Sequence, residues 1–145
     1  MSALSSVSLF NEGSISLPEG YQDRTVNVFV QPAAGAPSFN ISRDALQPRE
    51  ILSAYIDRQL LLMQQHMKGW SHELRDSAVL GDNLLHGEIV HASYLRDGKR
   101  IWQQQAVFNI QDAHILVITM SSPTKLTERD NLLFMELLRS FRFHD

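Results

Sequence analysis

The pair Asp97-Gly98 and the long segments on either side of it constrain the fold more than any other feature of this chain. The segment LLHGEIVHASYLR ends just before the pair, and KRIWQQQAVFNI begins just after it. Asp-Gly is favoured in the two-residue type I′ turn that joins two antiparallel strands. Because side chains alternate between the faces of a strand, such a turn fixes which residues stand opposite each other. The sequence therefore predicts a long β-hairpin of defined register.

The predicted register divides the hairpin residues between two faces. The first face carries Ile89 opposite Ala106, Gly87 opposite Phe108, and Leu85 opposite Ile110. The second face carries Tyr94 opposite Ile101, Ala92 opposite Gln103, Val90 opposite Gln105, and Glu88 opposite Val107. The first face is apolar and is predicted to pack under helices, whereas the second mixes aliphatic side chains with amides.

The segment HILVITM, residues 114–120, is apolar on both sides if it forms a strand. An antiparallel sheet commonly turns one polar face to water. If the short turn near Gln111-Asp112 keeps the register, Leu116, Ile118 and Met120 lie on the second face, and an odd-length turn would move them to the first. A bare second face would expose an apolar patch of the kind that marks interaction sites. The alternatives for its cover are the helices, the N-terminal strands, a second copy of the chain or a foreign apolar partner.

Shorter patterns predict the other elements. Strands are predicted over GSISL, RTVNVFV and SFNIS, with a loop over QPAAGAP. A helix of about 21 residues, about 30 Å long, is predicted from Pro48 at its first position to a stop at Gly69. Thr127 and Asp130 resemble a capping box. The box opens a second helix with an apolar stripe of Leu133, Phe134, Leu137, Leu138 and Phe141.

This order of elements predicts an α+β fold. We expect a curved antiparallel β-sheet meander, with the long central helix and the C-terminal helix packed on one face. The length of 145 residues, with 43% hydrophobic and 20% charged residues, predicts a single globular domain over residues 1–145.

The composition also narrows the class of function. The net charge of −3 provides no basic surface for a phosphate backbone, so we expect no nucleic-acid partner. The absence of cysteine excludes disulfides and thiolate metal sites. No segment resembles a signal peptide or a run of about 18 apolar residues. We therefore expect a soluble, cytoplasmic protein without stable membrane insertion.

No catalytic or metal-binding pattern accompanies the six histidines. His86 and His91 are five residues apart in a predicted strand and therefore point to opposite faces. His66 and His72 straddle Gly69 without a carboxylate at ligand spacing. The chain also lacks the nucleophile elbow, the P-loop and the dinucleotide-binding glycine motif. We expect no enzyme, no catalytic residue, no bound metal and no cofactor.

Short motifs spread along the chain resemble the DcrB-like family, also called DUF1795. These motifs are the opening G-x-I-x-L-P, residues 23–28 (DRTVNV), residues 38–44 (SFNISRD), Arg58-Gln59-Leu60, Gly69-Trp70, Gln105-Ala106-Val107-Phe108, Leu116-Val117-Ile118-Thr119 and Pro123. The resemblance runs almost end to end. Within the family it is greatest to the Eag proteins, the effector-associated chaperones of bacterial type VI secretion.

The resemblance implies a function and a set of partners. Eag chaperones are cytoplasmic homodimers whose curved sheets form an apolar cradle. The cradle holds the N-terminal transmembrane segments of an effector next to its PAAR domain, and the chaperone assists loading onto the VgrG spike. A client helix of about 20 apolar residues has no stable place in the cytosol, so the cradle shields it until delivery.

Client-binding residues follow partly from the resemblance and partly from the predicted arrangement of the sheet faces. By position, the resemblance assigns client contacts to Val26, Gln59, Met67 and Gln105. The predicted arrangement of the sheet faces adds Val28, Tyr94, Ile101, Val107 and Ile118. Asn40 stands where the family is expected to carry an aliphatic residue. The alternative function, from another class, is a non-enzymatic small-molecule-binding or structural domain, which predicts a monomer with a closed pocket and a polar outer sheet.

Overall fold

The structure is a computed structural model that describes residues 7–33 and 35–144. The elements in chain order are β1 (Val7–Phe10), β2 (Gly13–Ser16), β3 (Asn27–Phe29), β4 (Ser38–Ala45), α1 (Leu52–His66), β5 (Ser71–Leu80), β6 (Leu85–Arg96), β7 (Lys99–Gln111), β8 (His114–Ser122) and α2 (Glu128–Arg139). β1 and β2 form a separate two-stranded sheet. The other six strands form one antiparallel sheet in the order β3-β4-β8-β7-β6-β5. The predicted α+β class, with a central and a C-terminal helix, is confirmed.

From Glu88 opposite Val107 to Arg96 opposite Lys99, the hairpin formed by β6 and β7 has the predicted register. Ile89 stands opposite Ala106, and the pairing continues without a shift to Arg96 and Lys99. Asp97 and Gly98 both have positive φ angles, 52° and 77°, as a type I′ turn requires. The assignment of the β6 and β7 side chains to the first and second faces is therefore correct.

The side chains of β8 point to the opposite faces from those predicted for a turn that leaves the register unchanged. β8 pairs with β7 so that Ile118 stands opposite Ala106 on the first face. Ile110 is an extra residue in β7, and the register shifts there by one position just before the turn. In such a bulge, two residues of one strand stand opposite a single residue of the partner strand. Because side chains alternate between the two faces, a register shift of one residue moves every side chain of the partner strand to the other face. Leu116, Ile118 and Met120 therefore lie on the first face, and the prediction that placed Ile118 on the second face was wrong.

The two helices lie on opposite faces of the sheet, and not on one face as predicted. On the first face, Phe134 and Leu138 of α2 pack with Phe108, Leu116, Ile118 and Met120. On the second face, Tyr55, Ile56 and Leu60 of α1 pack with Val90, Val107 and Ile115. Both faces are apolar in the sequence, so the pattern did not decide which helix covers which face. The chain therefore covers part of its own second face with α1.

The first helix, α1, begins at Leu52 and not at Pro48. Arg49 has a φ of 65°, a left-handed conformation that a right-handed helix does not contain. Ile51 is the N-cap residue, and Pro48 lies in the turn that precedes it. At the other end the helix stops at His66, shortly before the predicted stop at Gly69.

The second helix, α2, begins as predicted. The Thr127 hydroxyl accepts a hydrogen bond from the backbone N–H of Asp130 at 3.2 Å, and the Asp130 carboxylate accepts one from the Thr127 N–H at 2.9 Å. These two bonds satisfy donors that a helix N-terminus otherwise leaves unpaired. Phe134 and Leu138 are buried as predicted, whereas Leu133 is exposed.

The remaining strands agree only partly with their predictions. The strand predicted over RTVNVFV is shortened to β3, and GSISL contributes β2. β5 was not predicted, because its register shifts between His72 and Arg75 and this irregularity interrupts the alternation of side chains. Among the described residues, neither helix is long and apolar enough to cross a membrane.

Candidate functional site

A row of paired residues crosses the second face from the edge of the sheet to α1. Val28 stands opposite Asn40, Asn40 opposite Thr119, and Thr119 opposite Gln105. Gln105 in turn stands opposite Val90, which is buried beneath α1. Directly opposed residues in paired antiparallel strands share a face. Amide and hydroxyl side chains therefore occupy the sheet surface between an aliphatic edge and the helix.

The helix and this part of the sheet border a groove of about 190 Å³, here called the α1 groove. Tyr55, Gln59 and Met63 line it from the helix, and Ser42, Gln105 and Thr119 line it from the sheet. The Gln105 amide donates a hydrogen bond to the Met63 sulfur at 3.8 Å. The two glutamines predicted to bind a client, Gln59 and Gln105, thus line the same groove.

The charged residues at one end of the α1 groove already have partners. Asp44 accepts a hydrogen bond from the Tyr55 hydroxyl at 2.7 Å, and burial together with this bond raises the pKa of Tyr55. Arg43 donates to the Asn27 side-chain oxygen at 2.7 Å and to the Thr25 carbonyl oxygen at 3.0 Å. The amides and hydroxyls along the row therefore provide the uncharged hydrogen-bonding groups of the site.

Ion pairs hold α1 on the side away from the groove. Arg75 of β5 donates to Glu88 at 2.9 Å and to the Ser53 carbonyl oxygen at 3.1 Å, and it also pairs with Asp57. The hydrogen bond to Glu88 is the largest cause of the raised pKa of Arg75. Because Ser53 and Asp57 belong to α1, these contacts tie the helix to β5 and β6. The groove therefore lies on the β4 side of a helix that is anchored on its other side.

Exposed aliphatic side chains lie at the sheet edge where the row ends and on α1. At the sheet edge, Val28 is 65% exposed, and Val26 and Val30 on either side of β3 are also exposed. Val26 precedes β3, so strand pairing assigns it no face. On α1, the exposed Leu62 lies three residues after Gln59, and residues at this spacing are neighbours on a helix surface. The site therefore combines apolar borders with an uncharged polar floor.

Three of the predicted client-binding residues lie away from the α1 groove lining. Met67 is the C-cap residue of α1. Tyr94 and Ile101 are paired near the β6–β7 turn, and the Tyr94 ring stacks on Trp70 with 6.4 Å between ring centroids. The structure therefore separates these three residues from the glutamine pair.

Two further predicted residues are covered by the chain itself. Val107 lies on the second face as predicted, but it is only 4% exposed because α1 packs over it. Ile118 is 3% exposed and packs under α2 on the first face. Thr119 and Ser42 line the groove and were not predicted. Since side chains alternate along a strand, the correct facing of Ile118 would have placed Thr119 on the second face.

The histidines provide no metal cluster in the part of the chain that the structure describes. No group of three or more His, Asp or Glu side chains is arranged to hold a metal ion there. His91 stands opposite Gln104, while His86 stands opposite Val79. As predicted from their spacing, His86 and His91 point to opposite faces of β6.

Comparison with known proteins gives three results. A family model described as DcrB matches residues 12–140. Effector EagT6 of Pseudomonas aeruginosa is 25% identical over 124 residues, which are 83% of this chain and 84% of EagT6. The crystal structure of PA94, a Pseudomonas aeruginosa protein of unknown function, matches with a TM-score of 0.73 and 20% identity, over 98% of this chain and 99% of PA94. The structural match supports the α+β fold described above.

Proposed function

This chain belongs to the DcrB family, as its motifs predicted, and on that premise we propose that it is a chaperone for an effector of bacterial type VI secretion. Its similarity to Effector EagT6 over most of both chains supports an association with an effector. In this proposal the protein acts in the cytoplasm as a homodimer and catalyses no reaction. It shields the N-terminal transmembrane segments of the effector and assists loading of the adjacent PAAR domain onto the VgrG spike.

The observation that carries the proposal is the surface formed by the α1 groove and the row from Gln105 to Val28. Three strand spacings separate β7 from β3, which is about 14 Å at about 4.8 Å per spacing. An α-helix with its side chains is about 10–12 Å across. The surface is therefore wide enough for one client helix, with aliphatic side chains at its borders.

The polar floor suits a client that is mostly apolar. The backbone groups of a client helix are satisfied internally, and each square ångström of apolar area removed from water contributes about 25 cal/mol. A polar client side chain, or a break in its helix, still requires partners. The half-buried Asn40 and Gln105 provide donors and acceptors, and an amide costs less to desolvate than a charge.

Copurification with a tagged effector N-terminal segment tests this proposal. Val28→Asp places a charge at the border of the groove, and Gln105→Ala removes an amide from its floor. We expect Val28→Asp to abolish copurification and Gln105→Ala to reduce it, because a client helix would meet an unpaired charge or lose a hydrogen-bonding partner. The measurement is the amount of segment retained per amount of folded protein.

Ile15→Asp is the matched control for the charge substitution. Ile15 is 53% exposed, close to the exposure of Val28, but it belongs to the separate sheet of β1 and β2. We expect the control to bind the segment as the wild type does. If folded Val28→Asp and Gln105→Ala also bind it at wild-type levels, the α1 groove is not the client site.

The small-molecule or structural alternative makes a different prediction. The α1 groove, at about 190 Å³, is below the range of about 300–1,000 Å³ that small-molecule sites occupy. Light scattering combined with titration of an apolar fluorescent dye separates the two functions. A monomer that binds no dye would favour the alternative, whereas a dimer that binds dye, and releases it when the effector segment is added, supports the chaperone.

A further inference from the structure

The helix α2 presents an exposed stripe on the side away from the sheet. The stripe consists of Arg129, Leu132, Leu133 and Glu136, here called the α2 stripe, and the spacing of these residues places them on one side of a helix. Leu132 is 56% exposed and Leu133 is 44% exposed. Within the described residues, the side chains of Arg129 and Glu136 have neither a hydrogen bond nor an ion pair. The stripe thus combines two exposed leucines with two charges that have no partner among the described residues.

The order of charges along the α2 stripe is complementary to itself in the antiparallel direction. In an antiparallel pair of α2 helices centred between positions 132 and 133, each Leu132 lies opposite the other copy's Leu133. The same alignment places each Arg129 opposite the other copy's Glu136. The two resulting ion pairs lie about 10 Å apart along the helix axis. A parallel pair would instead place like charges opposite each other, which is unfavourable.

A cleft lies beside the α2 stripe. A cleft of about 600 Å³ separates α2 from the connection between β3 and β4. On the side of this connection the cleft is lined largely by the small residues Ala33, Gly35, Ala36 and Pro37. Because α2 covers the first face of the sheet, a second copy docked here leaves the second face and its α1 groove accessible.

From these observations we infer that a second copy of this chain docks on the α2 stripe as an antiparallel α2 pair. Two-fold symmetry makes such an interface self-complementary: the leucines are buried at its centre, and the two Arg129–Glu136 pairs lie at its ends. The inference rests on the homodimer in the proposed function and assigns that dimer a surface. Both α1 grooves face away from the interface, one in each copy.

Charge reversal tests the pairing directly. Arg129→Glu gives a stripe with two negative ends, and Glu136→Arg gives a stripe with two positive ends, so each variant repels its own copies. We expect at least a tenfold rise in the dimer dissociation constant for each variant, measured by light scattering coupled to size-exclusion chromatography. An equimolar mixture of the two variants restores both ion pairs, and we expect it to form heterodimers.

Lys99→Glu is the control, because it makes the same change of charge as Arg129→Glu at the exposed first residue of β7. We expect this variant to dimerise as the wild type does. Both stripe residues are exposed, so unfolding measured at a concentration at which every sample is monomeric should show the same stability for all three variants. If a charge variant loses stability, Leu132→Asn tests the same interface without a charge, and the same weakening of the dimer is expected.

Three results would overturn the inference: a monomeric wild type, charge variants that dimerise normally, or a mixture that forms no heterodimer. The first would also remove the homodimer from the proposed function, whereas the other two would remove only the α2 interface. Copurification of the effector segment with the same variants reports on the α1 groove alone. A failure of client binding is therefore distinguishable from a failure of the α2 interface.

Discussion

The tight packing of Gly87 of β6 against β7 gives a sharp prediction for Gly87→Ala. A Cβ atom at position 87 would lie 2.1 Å from the Val107 carbonyl oxygen and 2.7 Å from a ring carbon of Phe108. Phe108 is fully buried in the core under α2, so its ring has little room to move. The carbonyl belongs to the backbone, and no change of rotamer relieves that contact. We expect the substitution to force the two strands apart.

The expected magnitude follows from two opposing effects. Adding a methyl group to a packed core costs about 1–3 kcal/mol, and here the contact with a backbone atom places the cost at the upper end. Replacing glycine inside a strand by alanine contributes about 0.5–1 kcal/mol in the other direction. We therefore expect Gly87→Ala to lower the free energy of unfolding by about 2 kcal/mol. For a chain of this size the midpoint of thermal unfolding falls by about 3 °C for each kcal/mol, or about 6 °C in total.

Urea and thermal unfolding, followed by circular dichroism, measure this effect. Gly13→Ala is the matched control, because nothing lies within 4 Å of a Cβ built at that position and its φ is not in the left-handed region. We expect the control to change stability by less than about 0.5 kcal/mol. If Gly87→Ala is as stable as the control, the close packing of Gly87 against Phe108 is wrong.

Three further predictions concern the helices. Arg58 and the Gln47 N–H lower the pKa of Glu50 from 4.5 to about 2. Glu50 therefore stabilises the fold above pH 4.5 and loses this contribution as the pH falls towards 2. Glu50→Gln should make thermal stability fall less steeply over that pH range, and a slope equal to that of the wild type would contradict this reasoning. Thr127→Ala removes one bond of the α2 capping box and should cost about 1 kcal/mol in urea unfolding; no change would mean that the box does not form. Phe134→Ala empties a fully buried site and should cost about 3–5 kcal/mol. A cost below about 0.5 kcal/mol, typical of exposed positions, would show that α2 does not cover the first face.

The sequence predicted the parts of the fold that local chemistry determines. The hairpin register follows from the two-residue turn at Asp97-Gly98. The start of α2 follows from reciprocal hydrogen bonds between two residues three positions apart. Each of these features depends on a few neighbouring residues, and no distant packing competes with it.

The arrangement of the layers depends on longer-range packing and was predicted less well. Since both faces of the sheet are apolar, the hydrophobic pattern is compatible with either helix on either face. The prediction that α1 begins at Pro48 was wrong because Arg49 adopts a left-handed conformation. The preference of proline for the first position of a helix does not predict this conformation. β5 was missed because its register shift interrupts the alternation of side chains.

The candidate site was predicted in part for the same reasons. Gln105 was placed on the correct face because the hairpin register was correct, and Gln59 was assigned through the family resemblance. Val107 was also placed on the correct face, but α1 covers it, and only the packing of the helix reveals this. Ile118 failed because the facing of β8 depends on Ile110, whose extra position in β7 has no signature in the local sequence.

The position of Ile110 determines which side chains of β8 form the floor of the α1 groove. β8 carries apolar side chains on both sides, so hydrophobicity alone does not determine which side faces the groove. Loss of a single residue before the turn would present Met120 and Ile118 to the groove and would turn Thr119 inward. Deletion of one residue could thus replace the Thr119 hydroxyl in the groove floor by aliphatic side chains, without any amino-acid substitution among the residues that now line the groove.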